Sequence, residues 1–187
     1  MRALFIIILI LPLLTYSQDQ INWMNWDQMM AKRQSDTIPK KVFIDLYTGW
    51  CGWCKRMDAT TFKQKAIVDY MNQKYYAVKF DAETRDTVNF NGIQFVNSDP
   101  LFKKRAINSR GKPHWFAHSI LDGKLSYPSY ALLDENLIRL AIYNGFKQQE
   151  ELIGILFFFG ADQHKYYHNL LYNCLLYTSP SPRDLVI

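Results

Sequence analysis

Two cysteines three residues apart, Cys51 and Cys54 in GWCGWCK, constrain this chain more than any other feature. Before them lies KVFIDLYT, short and rich in β-branched and aromatic residues, which predicts a buried strand. After them CKRMDATTF predicts a helix. A C-x-x-C pair at a strand-to-helix junction suits redox chemistry in an alternating α/β chain. A four-residue loop constrains little of the unfolded ensemble, so stability alone explains the pair poorly. A static structural disulfide is the remaining structural reading. Zinc normally needs four ligands, often from two such pairs, and c-type haem needs His directly after the second cysteine, where Lys55 stands.

Disulfide exchange requires a thiolate to attack a disulfide sulfur and a second thiol to release the mixed disulfide. C-x-x-C brings the second sulfur within reach. With Cys51 at a helix N-terminus, unpaired backbone N–H groups and the helix dipole stabilise its anion. Its pKa then falls below the free value of about 8.5. Cys51 is expected to be the exposed nucleophile and Cys54, one turn inside, the resolving thiol.

Of the 187 residues, both ends read as something other than folded domain. Met1-Arg2, the apolar run Ala3 to Leu14 and the small residues Thr15 and Ser17 have the pattern of a secretory signal peptide over residues 1–17. The run is shorter than the roughly 20 residues a transmembrane helix needs. CLLYTSPSPRD, Cys174 to Asp184, resembles a translated transposase sequencing adapter over eleven consecutive residues, so 174–187 is expected to be an artefact. Roughly 155 residues, 18–173, then form one domain. Cys51 and Cys54 are the cysteines it retains, unlike a small secreted fold stapled by several pairs. The formal charge of +5 is spread along the chain with no basic run, so nucleic-acid binding is not indicated.

Further along, Ile21 to Asp36 reads as a helix with Trp23, Trp26, Met29 and Met30 on one side. QKAIVDYMNQ reads as a helix and Tyr75 to Glu83 as a strand. Asn91-Gly92 predicts a hairpin with a type I′ turn. Pro113 to Gly123 reads as a helix, YALLDENLIRLAIYN as two strands turning at Asp134 to Asn136, and Lys147 to Gly160 as a helix with ILFFFG in the core. This order implies α/β architecture, a mixed sheet with helices on both faces.

Taken together, these residues resemble the thioredoxin superfamily, more narrowly the secreted thioredoxin-like proteins of Bacteroidetes-type bacteria. The resemblance spans about Ile21 to Asn173. It rests on Trp50-Cys51-Gly52-Trp53-Cys54-Lys55, on Asp45 six residues before Cys51, on Lys79 in AVKFD, on Pro128 in SYPSY and on Gly145 after the last strand. It implies a thioredoxin-like fold with a mixed sheet and an insert before the helix that precedes the cis-proline. It also implies roles. Asp45 accepts the Cys54 proton through water, and Lys79 tunes Asp45 by charge, unless it is only a surface lysine. Pro128 in a cis bond exposes backbone for an incoming peptide, while Trp50, Gly52, Trp53 and Tyr127 border the peptide site. Two departures stand out. Trp53 replaces thioredoxin's proline, and its added N–H is expected to help stabilise the Cys51 anion. The stretch 83–112 is longer than in plain thioredoxins and reads either as a cap over the active site or as a surface insertion.

The functional expectation is a periplasmic or secreted thiol–disulfide oxidoreductase. It is expected to be a monomer that works on protein thiols and disulfides with a redox partner, without organic cofactor, metal, nucleic acid or, once the leader is cleaved, membrane. A non-catalytic thioredoxin-fold binding module is the alternative. The pairs His114/His118 and His164/His168 have helical spacing but no third ligand, and solvent-facing side chains are expected.

Overall fold

The computed structural model describes residues 20–97 and 112–178, with side chains through Leu170. The leader read at 1–17, residues 98–111 of the insert and the tail from 179 lie outside the described residues. The backbone of the last helix includes residues 174–178.

The elements run β1 (Trp23–Met24), α1 (Trp26–Ser35), β2 (Lys41–Tyr47), α2 (Gly52–Ala59), a 3₁₀ turn (Thr61–Lys63), α3 (Lys65–Lys74) and β3 (Tyr75–Asp81). They continue β4 (Val88–Phe90), β5 (Ile93–Phe95), α4 (Trp115–Ile120), β6 (Ser129–Leu133), β7 (Arg139–Asn144), α5 (Gln149–Gly160) and α6 (Gln163–Thr178). The main sheet has the order β1-β3-β2-β6-β7. β1, β3 and β2 are parallel, while β6 and β7 complete the sheet antiparallel.

β2 lies at the centre, and its near-continuous apolar sequence fits a strand covered on both sides. Because side chains alternate along a strand, Val42, Ile44 and Leu46 point to one face and Phe43 to the other. The first face packs against Trp26 and Met29 of α1 and Phe116, Ala117 and Ile120 of α4. The second packs against Met57 of α2, Ile67, Val68 and Met71 of α3, and Leu152, Leu156 and Phe159 of α5. Each of the larger aliphatic and aromatic side chains among these contributes roughly 1.5–3 kcal/mol of transfer free energy.

The first helix starts later than its sequence pattern predicts. Asn25 accepts the Gln28 N–H at 2.8 Å while Gln28 Oε1 accepts the Asn25 N–H at 3.0 Å, a capping box that fixes the N-terminus at Trp26. Trp23 therefore lies in β1, in register with Ala77 of β3. Its ring meets Phe62 edge-on at 5.1 Å on the α2 side of the sheet. Trp26 and Met29 go to the opposite face.

The Asn91-Gly92 hairpin forms as its sequence predicts, with φ of 50° and 76° at the two turn residues. Phe90 and Phe95 each lie 5.7 Å from the Phe116 ring, and Trp26 Nε1 donates to Asn89 O at 3.0 Å. The described part of the insert thus packs onto the α1/α4 face of the sheet, whereas α2 packs onto the other.

His114 departs from the solvent-facing expectation. It is fully buried and caps α4, its Nδ1 accepting the Phe116 N–H at 3.1 Å. That leaves the proton on Nε2, which donates to Asp86 O at 2.8 Å. His164 is half-buried beside Phe159, 5.1 Å between rings, and His168 is exposed. Among the described residues no group of three or more His, Cys, Asp or Glu is placed to hold a metal ion, and no helix is long and apolar enough to cross a membrane.

Candidate active site

Cys51 is the N-cap of α2, and its Sγ accepts the Cys54 N–H at 3.0 Å. Its own N–H donates to Thr48 O at 3.1 Å, and its carbonyl accepts the Lys55 N–H at 3.2 Å. An N-cap side chain ordinarily takes the N–H of the second or third helical residue; here sulfur does what a Ser or Asp oxygen does elsewhere. The sulfur thus sits at the positive end of the helix dipole. Cys51 and Cys54 are joined in a disulfide, with Cα atoms 5.3 Å apart.

Two expectations about this pair need correcting. The donor to the Cys51 sulfur is the N–H of Cys54, the third helical residue, rather than that of Trp53. And the two cysteines, joined in the disulfide, do not differ in exposure, at 4% and 3%.

Beneath the helix, a row of polar side chains crosses the sheet. Asp45 of β2 is in register with Lys79 of β3 on one side and Tyr130 of β6 on the other. Alternation places the three on the face that carries Phe43, Ala77 and Leu132, which α2, α3 and α5 cover. Asp45 is 2% exposed, and its Oδ1 has no hydrogen-bond partner. The Tyr130 hydroxyl is likewise buried without one. Lys79 Nζ approaches Asp45 Oδ2 at 3.3 Å. Burial pushes the Asp45 carboxyl up to about 7; the Lys79 ammonium opposes the rise and Asp58 adds to it. A carboxyl in that range can both take and return a proton near neutral pH. Lys79 is thus Asp45's ion-pair partner rather than a free surface lysine, and it is held over Trp23, Tyr47 and Phe62 at 5.0 to 5.6 Å from the ring centres.

The peptide bond Tyr127–Pro128 is cis, as the resemblance implies, and the Pro128 carbonyl accepts the Gly145 N–H at 2.8 Å. Gly145 takes a φ of +80°, which suits glycine. Trp50 is exposed, its Nε1 donating to Glu83 Oε1 at 3.0 Å, and its ring meets Tyr127 edge-on at 6.1 Å. Trp53 is also exposed, 5.7 Å from the Phe146 ring, and the Arg56 guanidinium lies over both at 5.2 and 5.3 Å. Gly52, first residue of α2, has open space where a Cβ would stand. Two aromatic pairs therefore border the cysteines.

Sequence reading missed four participants: Asp58, Glu83, Arg56 and Phe146. Asp58 forms a short hydrogen bond with Lys79. Its one sequence signal is its spacing, four residues after Cys54 on the same helix. Glu83, Arg56 and Phe146 carry no signal, since their contacts arise from the fold.

This arrangement, a C-x-x-C disulfide at the start of α2 and a cis-proline before β6 on a β1-β3-β2-β6-β7 sheet, is the thioredoxin fold. Solved structures agree. A thioredoxin-fold protein from Helicobacter pylori superposes with a TM-score of 0.53 at 14% identity, covering 81% of this chain and 83% of that one. A thioredoxin from Thermus thermophilus gives a TM-score of 0.50 at 10% identity, covering 73% and 85%. The likeness is one of fold: the chain has the thioredoxin-like α/β fold. Residues 11–98, just under half of the chain, match the family Thioredox_DsbH, described as "Protein of unknown function, DUF255". A nematode protein, "Uncharacterized protein B0495.5" of Caenorhabditis elegans, is 29% identical over 103 residues, 55% of this chain. The aligned stretch is 13% of that protein's length, so the relative is far longer than the region shared.

Proposed function

We propose that the protein is a thiol–disulfide oxidoreductase of the cell envelope, periplasmic or secreted, acting as a monomer on protein thiols and disulfides. The observation that carries the reading is the seat of Cys51: N-cap of α2, sulfur accepting a backbone N–H, bonded to Cys54 one turn on. In the reduced protein the Cys51 thiolate attacks a substrate disulfide. One substrate sulfur leaves with the electron pair, and a mixed disulfide forms. Cys54 gives its proton to Asp45 and attacks Cys51 Sγ, which releases the second substrate sulfur as thiolate. Two electrons pass from the protein's dithiol to the substrate. The reverse sequence oxidises a substrate, and the compartment's redox poise sets the direction.

The aromatic pairs Trp50–Tyr127 and Trp53–Phe146 supply apolar contact for a peptide on either side of the sulfurs, and the cis Pro128 loop supplies backbone to pair with it. The envelope location draws on the signal-peptide pattern at 1–17. A partner thiol protein completes the cycle.

Trapping tests the reading. Cys54→Ser should accumulate mixed disulfides through Cys51, and Cys51→Ser should accumulate few. Insulin reduction should disappear in both. If neither variant alters insulin reduction or trapping, the protein is a thioredoxin-fold binding module instead.

A further inference from the structure

Lys79 is shared. Its ammonium lies 3.3 Å from Asp45 Oδ2 and closer still to Asp58 Oδ1. The three rings of Trp23, Tyr47 and Phe62 surround it, so it has little freedom except to shift between the two carboxylates. Asp58 stands one turn after Cys54 on α2, so the helix face that carries the resolving cysteine also carries the second carboxylate onto Lys79. The two acids differ in environment: Asp45 is 2% exposed and Asp58 is 42% exposed.

We propose that Asp58 is a positioning residue for the proton step of exchange: by holding Lys79 from α2, it leaves the Asp45 carboxyl free to take the Cys54 proton. The proposal rests on the exchange reading above. Charge balance gives the reason. Two carboxylates and one ammonium carry −1, and proton uptake by Asp45 takes the trio to 0. Without Asp58 the same step runs from 0 to +1 in a buried site, which desolvation opposes. Lys79 would then pair with Asp45 alone, and a carboxylate held by an ammonium is a weaker base. With Asp58 present, the ammonium keeps a partner as Asp45 becomes neutral.

The other groups around Asp45 do not supply that partner. Tyr130 of β6 is in register with it and has a buried, unpartnered hydroxyl, with Glu151 of α5 acting on that tyrosine. Tyr47 of β2 lies near Asp81 and Lys79. Among the described residues, the cation that acts on Asp45 is Lys79. The proton leaves Cys54 Sγ and passes through water to Asp45 Oδ1, the oxygen without a hydrogen bond, as the Cys54–Cys51 bond forms and the Cys51–substrate bond breaks.

The test uses the full chain with Asp58→Asn and Asp58→Glu, each checked for an unchanged thermal midpoint. Carbon-detected NMR of labelled aspartate follows the Asp45 carboxyl against pH. Asp58→Asn should lower its midpoint by about one unit or more, a tenfold weakening of proton binding, and Asp58→Glu should hold it within about 0.3 unit of wild type. In parallel, stopped-flow tryptophan fluorescence follows resolution of a Cys51–glutathione mixed disulfide. The acid limb of that rate should move down by the same amount in Asp58→Asn, and the plateau should fall several-fold. An unmoved Asp45 midpoint in Asp58→Asn, or a glutamate variant that shifts as far as the asparagine one, overturns the role of Asp58 while exchange stands. A wild-type chain that exchanges no disulfide overturns the exchange reading and the role of Asp58 together.

Discussion

The two faces of the central sheet use the same strands to opposite ends. On the α1/α4 face Val42, Ile44 and Leu46 meet Trp26, Met29, Phe116 and Ile120, and the buried polar ring there, His114, has both nitrogens satisfied. On the α2/α3/α5 face the equivalent positions of the same strands include Asp45, Lys79 and Tyr130, and the Asp45 Oδ1 and the Tyr130 hydroxyl are buried without a partner. One residue of alternation separates Ile44 from Asp45. Burial of a polar group without a partner costs free energy, so the second face gives up stability that the first retains. The cysteines sit at the end of the helix that covers the costly face. Stability and chemistry are thus divided between sides of one sheet.

The sharpest division concerns activity. Cys51→Ser should lower insulin reduction by about a thousandfold or more. The urea midpoint should hardly move, because the loop the bond closes is short. A large loss of stability would show that the pair is a staple.

Phe116→Ala makes the converse cut. It empties a fully buried site contacted by Trp26, Phe80, Phe90 and Phe95 and should cost about 3–5 kcal/mol in urea unfolding. Exchange per folded molecule should stay constant. A rate that falls faster than the folded fraction would break the separation of the faces.

The pH dependence of stability should have opposite signs on the two sides. Asp45 keeps its proton in the fold up to about pH 7, whereas the unfolded chain releases it near 3.8. The native state therefore holds the extra proton between these values. Its stabilising contribution is full below 3.8 and is lost as pH rises to about 7. Asp45→Asn should remove that decline and be more stable than wild type at pH 8 by a few kcal/mol, on the order set by 1.36 kcal/mol per pKa unit. Equal slopes in variant and wild type between pH 4 and pH 8 would count against a raised Asp45.

The smallest effect belongs to His114. Burial holds its ring below the ordinary 6.5, so the unfolded chain takes up a proton first as pH falls, and stability present above 6.5 declines below it. His114→Asn retains an acceptor for the Phe116 N–H and should flatten this acid-side loss, even if it lowers stability throughout. Urea titrations at pH 7 and pH 5 read the difference.

Local features of this chain were legible where one stretch of sequence determines them. KVFIDLY reads as a buried strand and is one; Asn91-Gly92 reads as a type I′ turn and takes positive φ at both residues. The junction of strand, cysteines and helix predicts Cys51 at a helix start, and it is the N-cap of α2. Pairings between distant segments were not legible. β1 has two residues, and its alignment with β3, more than fifty residues on, leaves no periodic trace. Asp58 reads as an ordinary helix-surface acid, and only the register of β3 against β2 brings Lys79 to it. His114 carries no mark of burial in PHWF; its cap and its bond to Asp86 depend on how the insert returns to the sheet. The resemblance to thioredoxins supplied the cis bond before Pro128, which composition and spacing do not encode.

Exchange through Cys51 depends most directly on the acidity of its thiol. Pulsed alkylation of the reduced chain across pH, with peptide mapping to separate Cys51 from Cys54, measures it. Cys51 should react with an apparent pKa at least one unit below the free value of about 8.5, and Cys54 should titrate above Cys51. A Cys51 value at or above about 8.5 would contradict the claim that the opening turn of α2 stabilises its anion.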